Sequence, residues 1–174
     1  MRKVIYGGAV SLDMYLAGPG EAIDWLRWSD DSAKIAAETF KGVDTMLMGR
    51  KTYKIGQKMG GGPTMKGVRT YVFSRTLESI PERPDYELVS EDVAEFVRRI
   101  KGDDGGNILV MGGGELGTAL IDAGLVDEIG FSIHPVLLGG GTPAFGALGG
   151  RVELELTETR AIAQGCVLVR YRVV

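Results

Sequence analysis

The sequence predicts a single α/β domain over residues 1–174, built on a mostly parallel sheet with an antiparallel edge. Three patterns predict it. Short apolar runs alternate with helix-compatible segments through most of the chain, the order produced when crossover helices join parallel strands. Two alternating segments, 151–160 and 167–173, then flank Gln164-Gly165 and read as a C-terminal antiparallel hairpin. Finally, the 27 glycines cluster at 60–62, 112–114, 139–141 and 149–150. Glycine at the end of an apolar run marks a tight turn or a close backbone approach to a ligand.

The elements follow in order. Residues 3–10 carry Val, Ile and Tyr and predict a strand, followed by a loop over 11–19 and a short helical turn over 23–28. Asp30 or Asp31 is placed to cap a helix bearing Ala33, Ile35, Ala36, Ala37 and Phe40, which Gly42 ends as a C′ residue. A short apolar strand over 43–48 runs into Gly49 and a helix over 51–58, and a loop spans 60–67. Residues 69–73 form a strand stopped by Ser74-Arg75-Thr76, and 87–89 a shorter one. Ser90 opens a helix with acids early and bases late, as the helix dipole favours. A strand over 107–111 leads through Gly112–Gly114 into a helix ending at Ala123, then come a strand over 128–134 and a glycine-rich loop over 137–150.

Bulk properties exclude several classes of function. Apolar residues at 44% and charged residues at 25% are ordinary for a soluble globular chain. A net charge of −3 argues against a general nucleic-acid binder. The lone cysteine, Cys166, allows no internal disulfide, so a reducing compartment is expected. No apolar run reaches membrane-spanning length, and the N-terminus lacks the apolar stretch of a signal peptide. The expectation is a cytoplasmic protein with a small-molecule substrate and no nucleic-acid or membrane partner. One histidine and one cysteine do not make a transition-metal site of the usual kind, so no metal is expected.

Ligands of parallel sheets bind beyond the carboxyl ends of the strands, and three such ends carry suitable chemistry. Met111-Gly112-Gly113-Gly114-Glu115-Leu116-Gly117 matches G-x-G-x-x-G between a strand and a helix. Its glycines admit a pyrophosphate to free helix N–H groups. The motif comes late in the chain and the next strand ends in His134-Pro135 rather than in an acid, which excludes a Rossmann fold. Met48-Gly49-Arg50-Lys51-Thr52-Tyr53 places two cations and a hydroxyl at a second helix start. Cations there oppose the helix dipole, and a bound phosphate resolves the conflict. Ser74-Arg75-Thr76 offers a guanidinium between two hydroxyls, a set suited to the 2′-phosphate that distinguishes NADPH from NADH.

Taken in order, these motifs resemble the dihydrofolate reductase superfamily, especially the reductase domain of bacterial riboflavin biosynthesis and its stand-alone relatives. Ala9-Val10-Ser11-Leu12-Asp13, Asp127-Glu128 and the run from Pro135 to Phe145 extend the resemblance over nearly the whole chain. It implies a dihydrofolate reductase-like three-layer α/β/α sandwich with a C-terminal hairpin. It implies NADPH as hydride donor to a pyrimidine- or pterin-like substrate, as in 5-amino-6-(5-phosphoribosylamino)uracil reductases. Arg50, Lys51 and Thr52, with Gly49, would then face the cofactor's phosphates. Ser74, Arg75 and Thr76 would face its adenosine end, Met111 to Leu116 its pyrophosphate, and Ala9 its nicotinamide. Stand-alone relatives are often homodimers.

The chain departs from its relatives in two places. Dihydrofolate reductases carry a substrate-binding acid early in the helix before Met-Gly-Arg; counted without gaps, that position is Ala33, and Asp30 and Asp31 are the nearest acids. Asp31 is the candidate for that role if a small gap restores the register. The riboflavin-type domains commonly show Glu-Gly-Gly where this chain has Gly112-Gly113-Gly114-Glu115. Dihydrofolate reduction itself, or NADPH binding without catalysis, are the alternatives. Trp25 and Trp28 are candidates for a substrate pocket or for packing, and His134 reads as structural.

Overall fold

Short runs of Val, Ile, Leu and Met, buried on both sides, build the sheet, as parallel strands require. The computed structural model describes residues 1–60, 65–81 and 83–174. Its strands are β1 (Val4–Ser11), β2 (Tyr15–Ala17), β3 (Val43–Gly49), β4 (Arg69–Phe73), β5 (Tyr86–Val89), β6 (Asn107–Met111), β7 (Glu128–His134), β8 (Thr142–Pro143), β9 (Leu154–Ile162) and β10 (Cys166–Val173). The helices are α1 (Asp30–Phe40), α2 (Arg50–Lys58), α3 (Val93–Lys101) and α4 (Gly114–Asp122). The main sheet runs β5-β4-β3-β6-β1-β7-β10-β9. Its first six strands are parallel, whereas β10 pairs antiparallel with both β7 and β9. The chain is thus an α/β fold with a mostly parallel sheet and an antiparallel C-terminal edge.

The alternation of side chains sorts the core into two layers. On one face Tyr6, Leu47 and Val110 pack with Phe96 and Val97 of α3 and Leu120 of α4. On the other, Met46, Met48 and Leu109 pack with Tyr53 of α2. Burial of Val93, Phe96, Val97 and Ile100 anchors α3 at about 1.5–3 kcal/mol per side chain. By contrast, α1 buries only Ile35, and a cavity separates it from the sheet.

Several local expectations change. The expected loop over 11–19 contains β2, which pairs with β8 from the expected 137–150 loop. Both strands are too short to show a period-2 pattern. Ser29, not Asp30 or Asp31, caps α1, because its hydroxyl accepts from Ser32 N. Asp92, not Ser90, caps α3, accepting from the N–H groups of Ala94 and Glu95. The expected turn over 23–28 is one bend closed by Leu26 N donating to Ile23 O. Gly61 and Gly62 and the middle of the 60–67 loop lie outside the described residues.

Candidate functional site

The parallel register sets the ends of β3, β4 and β6 side by side. Gly49 pairs with Phe73, while Leu47 pairs with Val110 one residue before Met111. Each strand then releases its motif at the same edge. All fourteen residues expected around a cofactor, from Ala9 to Leu116, line one cleft of about 1080 Å3 there.

Two helices start in this cleft, and neither has a side-chain cap: α2 begins after Gly49 and α4 after Gly113. The other two α-helices among the described residues are capped, by Ser29 and Asp92. The two bare ends are neighbours, since a Cβ on Gly113 would lie 3.9 Å from Gly49 N. Gly112 and Gly113 both take left-handed φ, 63° and 71°. A side chain on Gly112 would also run into Thr52. Gly114 lies against the backbone of Pro143 and Ala144, and Gly117 against the Tyr6 ring. The glycine motif therefore turns the chain, holds α4 tight to β1 and leaves free N–H groups facing the cleft.

The cations stand around these amides. Arg50 and Lys51 are exposed in the first turn of α2, which contains no acid. Arg50 Nη1 reaches Thr76 Oγ1 at 2.9 Å, joining the α2 start to the loop after β4. In that loop Ser74 Oγ accepts from Thr76 N (3.2 Å) and Leu77 N (3.0 Å), a hydroxyl turn that fixes the exposed Arg75 at its crest. Glu115 and Leu116 line the cleft from the first turn of α4, with Glu115 exposed.

Ala9 sits where the cleft meets the second cavity, beneath α1. Asp31 lines neither; its carboxylate accepts from Ala163 N at 3.2 Å and lies 3.7 Å from Lys34 Nζ. Ala33, at the ungapped register position, is exposed. Trp28 borders both cavities and is 70% exposed, while Trp25 packs edge-on to His134 at 5.3 Å.

Other contributors escape sequence reasoning. Ser90 and Glu91 border the cleft near the Ser74 loop, yet in sequence they are indistinguishable from a helix cap. Thr142 and Pro143 border it through β8, whose pairing is not visible in the sequence. Asp13 ties the loop after β1 to the loop after β7, accepting from Leu138 N (3.1 Å) and Gly139 N (2.8 Å). The Ser11 hydroxyl, then these backbone N–H groups, hold its carboxyl down to about 2. Its place at the end of Ala9-Val10-Ser11-Leu12-Asp13 is the available signal. Among the described residues no cluster of His, Cys, Asp and Glu is arranged to hold a metal ion.

This sheet, with helices on both faces and two glycine-opened helix starts in one long cleft, is a three-layer α/β/α fold. A family model for the RibD C-terminal domain matches residues 2–168, and the chain belongs to that family. The chain is 33% identical over 181 residues to protein YyaP of Bacillus subtilis (strain 168), covering 98% of this chain and 94% of that one. A putative riboflavin biosynthesis protein from Shewanella sp. PV-4 superposes with TM-score 0.86 at 21% identity, covering 100% of this chain and 99% of the other. A dihydrofolate reductase from Enterococcus faecalis, in complex with NADP(H) and RAB-propyl, superposes with TM-score 0.69 at 17% identity, covering 98% and 96%. The chain is a RibD-like reductase domain, and among its described residues no helix is long and apolar enough to cross a membrane.

Proposed function

We propose that the cleft binds NADPH and that the protein directs hydride transfer, of the riboflavin-biosynthesis reductase type, to a planar ring substrate of pyrimidine or pterin size. One observation carries this reading. Among the described residues, the two α-helices that lack side-chain caps are the two whose N-termini meet in the cleft, one of them with cations in its first turn. Uncapped N–H groups beside Arg50 and Lys51 are poorly explained by stability and well explained by a pyrophosphate.

The donor set fits the whole cofactor. Gly112 to Leu116, with Gly49 and Thr52, cradle the pyrophosphate, since a Cβ on Gly112 would fill the space between the two helix starts. Arg50 and Lys51 neutralise its charge. Ser74, Arg75 and Thr76 suit the 2′-phosphate, where a guanidinium donates two hydrogen bonds at once. Ala9 is small enough to let a flat ring lie against β1. When bound, the dinucleotide supplies a hydride from its nicotinamide ring. The protein's contribution is positioning, with Asp13 holding together the two loops beside the ring site.

The test is calorimetric titration with NADPH, followed by turnover assays with the ribosylaminopyrimidine phosphate and with dihydrofolate. The expected result is a micromolar complex and NADPH oxidation with a ring substrate. Absence of binding at millimolar NADPH would contradict the reading. Binding without oxidation in the presence of any ring acceptor would leave a cofactor-binding protein only.

A further inference from the structure

Resting on the reading above, we propose that His134 is the catch of an acid-sensitive strap: residues 18–28 close over the cofactor cleft while its imidazole is neutral and come loose when it takes up a proton.

The strap links β2 to α1 and is thinly packed. From Pro19 to Trp28 no residue is buried, and a segment with so little buried surface opens at low cost. Its inner side is nevertheless part of the cleft wall, where Ile23, Leu26 and Trp28 join Ile55 and Met59 of α2. Loosening the strap therefore opens the cleft. At its outer end Glu21 takes the left-handed φ of 65° that side chains rarely adopt and faces Lys58 at 3.6 Å. Lys58 is exposed, and such a pair holds weakly. At its inner end Gln164, on the hairpin turn, accepts from Arg27 Nη1 at 3.0 Å and donates its amide to Trp28 O at 2.8 Å. Both bonds are exposed and exchange for water at little cost.

His134 makes the sheltered fastening. It is 3% exposed, its Nδ1 accepts from Arg27 N at 3.2 Å, and Trp25 packs edge-on to its ring. The bond holds only for the neutral ring, which offers one acceptor; the protonated ring has two donors and no acceptor. Proton uptake sets Nδ1–H against Arg27 N–H, beside the guanidinium of the same residue. The strap presents Arg27 to the imidazole, β10 presents Cys166, whose thiol is pushed up by burial, and β1 presents the register partner Ser11, whose hydroxyl serves Tyr15 N and Asp13. The Asp13 and Asp31 carboxylates are committed to backbone N–H groups. Among the described residues the charge that acts on the imidazole is Arg27's, with no carboxylate to offset it. Burial, then Arg27, hold the imidazole below its ordinary 6.5. Opening the strap moves Trp25 and Arg27 away and relieves both. The open form then takes up the proton more readily, and falling pH favours it. His134 lines the neighbouring cavity and not the cofactor cleft, so it acts through the strap as a positioning residue.

The chain's two tryptophans, Trp25 and Trp28, both lie on the strap and report on it. Acrylamide quenching of their fluorescence reads the strap without ligand, and stopped-flow dissociation of NADP+ reads the cleft. Each is measured between about pH 7.5 and about pH 5.5, where circular dichroism shows the fold intact. As pH falls, quenching of the unaltered protein should rise about twofold and NADP+ dissociation roughly fivefold. The 2′-phosphate takes up a proton in the same range and affects every variant alike, so the comparison between proteins decides. His134→Asn keeps an acceptor oxygen and does not titrate; its quenching should stay low throughout. His134→Phe has no acceptor and should be strongly quenched at both ends of the range. If one variant lacks a thermal transition, the other decides. Quenching of the unaltered protein that ignores pH, the same rise in a folded variant, or NADP+ dissociation no faster at low pH than that of His134→Asn overturns the proposal. Failure of NADP+ to bind the unaltered protein contradicts the cofactor reading instead, and quenching then decides the strap on its own.

Discussion

His134 is buried among Trp25, Arg27 and Cys166's strand, and burial, with Arg27 nearby, pushes its imidazole below the ordinary 6.5. The unfolded chain then binds more protons than the fold as pH drops beneath that value, so stability is complete above it and declines below. Urea unfolding between about pH 7.5 and about pH 5.5 should show this fall, and His134→Phe should flatten it. An equal slope in both proteins would show that the imidazole does not titrate on unfolding. His134 also shows how far single residues are legible. Its structural reading from sequence rests on position alone, and the cavity it lines forms only when β7 is placed beside β1. Arg50 and Lys51 stand out in the sequence because cations at a helix start oppose its dipole, and Arg75 because it follows a strand between two hydroxyls; the fold sets all three on one cleft. Counting along one helix points to Asp31, whereas the structure turns its carboxylate to Ala163 N on the hairpin turn. Spacing along α1 could not reveal a partner that far away in sequence.

Among the elements, α4 shows most directly how sequence builds the site. Its G-x-G-x-x-G pattern performs two different tasks. Gly112 and Gly113 supply left-handed turns, while Gly117 lets the helix lie on the Tyr6 ring. Tyr6 in turn donates its hydroxyl to Ala144 O, the residue after β8. One buried tyrosine thus links the glycine helix to the loop that closes the cleft. Gly117→Leu should overpack this contact and cost about 1–3 kcal/mol in urea unfolding, together with weaker NADPH binding as α4 shifts. Unchanged stability and affinity would show that the close approach is dispensable. Long periodic elements such as α3 and β9 were legible in outline. The pairing of β2 with β8 was not, because each is too brief to show alternation and their partnership depends on where β1 and β7 end.

For the whole molecule, the sheet leaves one face of its C-terminal hairpin uncovered. Leu154 and Leu156 of β9 are 41% and 52% exposed, and Val167, toward the other end of the hairpin on β10, is 37% exposed. β9 also ends the sheet as an exposed edge. Apolar side chains on an open edge are characteristic of an interface. We therefore propose that the protein is a homodimer through this hairpin. Light scattering should give a dimer mass, and Leu156→Lys should give a folded monomer. A monomer at millimolar concentration would count against it. The alternating order of strands and helices was readable from the start, whereas the strand order was not, since it is set by which apolar faces meet after each crossover.

The central claim is that the cleft is built for a dinucleotide carrying a 2′-phosphate. Parallel calorimetric titrations of NADPH and NADH, on the unaltered protein and on Arg75→Ala, address it most directly. Arg75 is exposed and, among the described residues, forms no side-chain hydrogen bond or ion pair, so its loss should leave stability unchanged. The account predicts that the unaltered protein prefers NADPH, and that Arg75→Ala loses roughly tenfold or more in NADPH affinity while NADH changes little, as removal of a charged hydrogen-bond partner worth about 1.5–3 kcal/mol requires. Equal losses for both dinucleotides, or no preference in the unaltered protein, would contradict it.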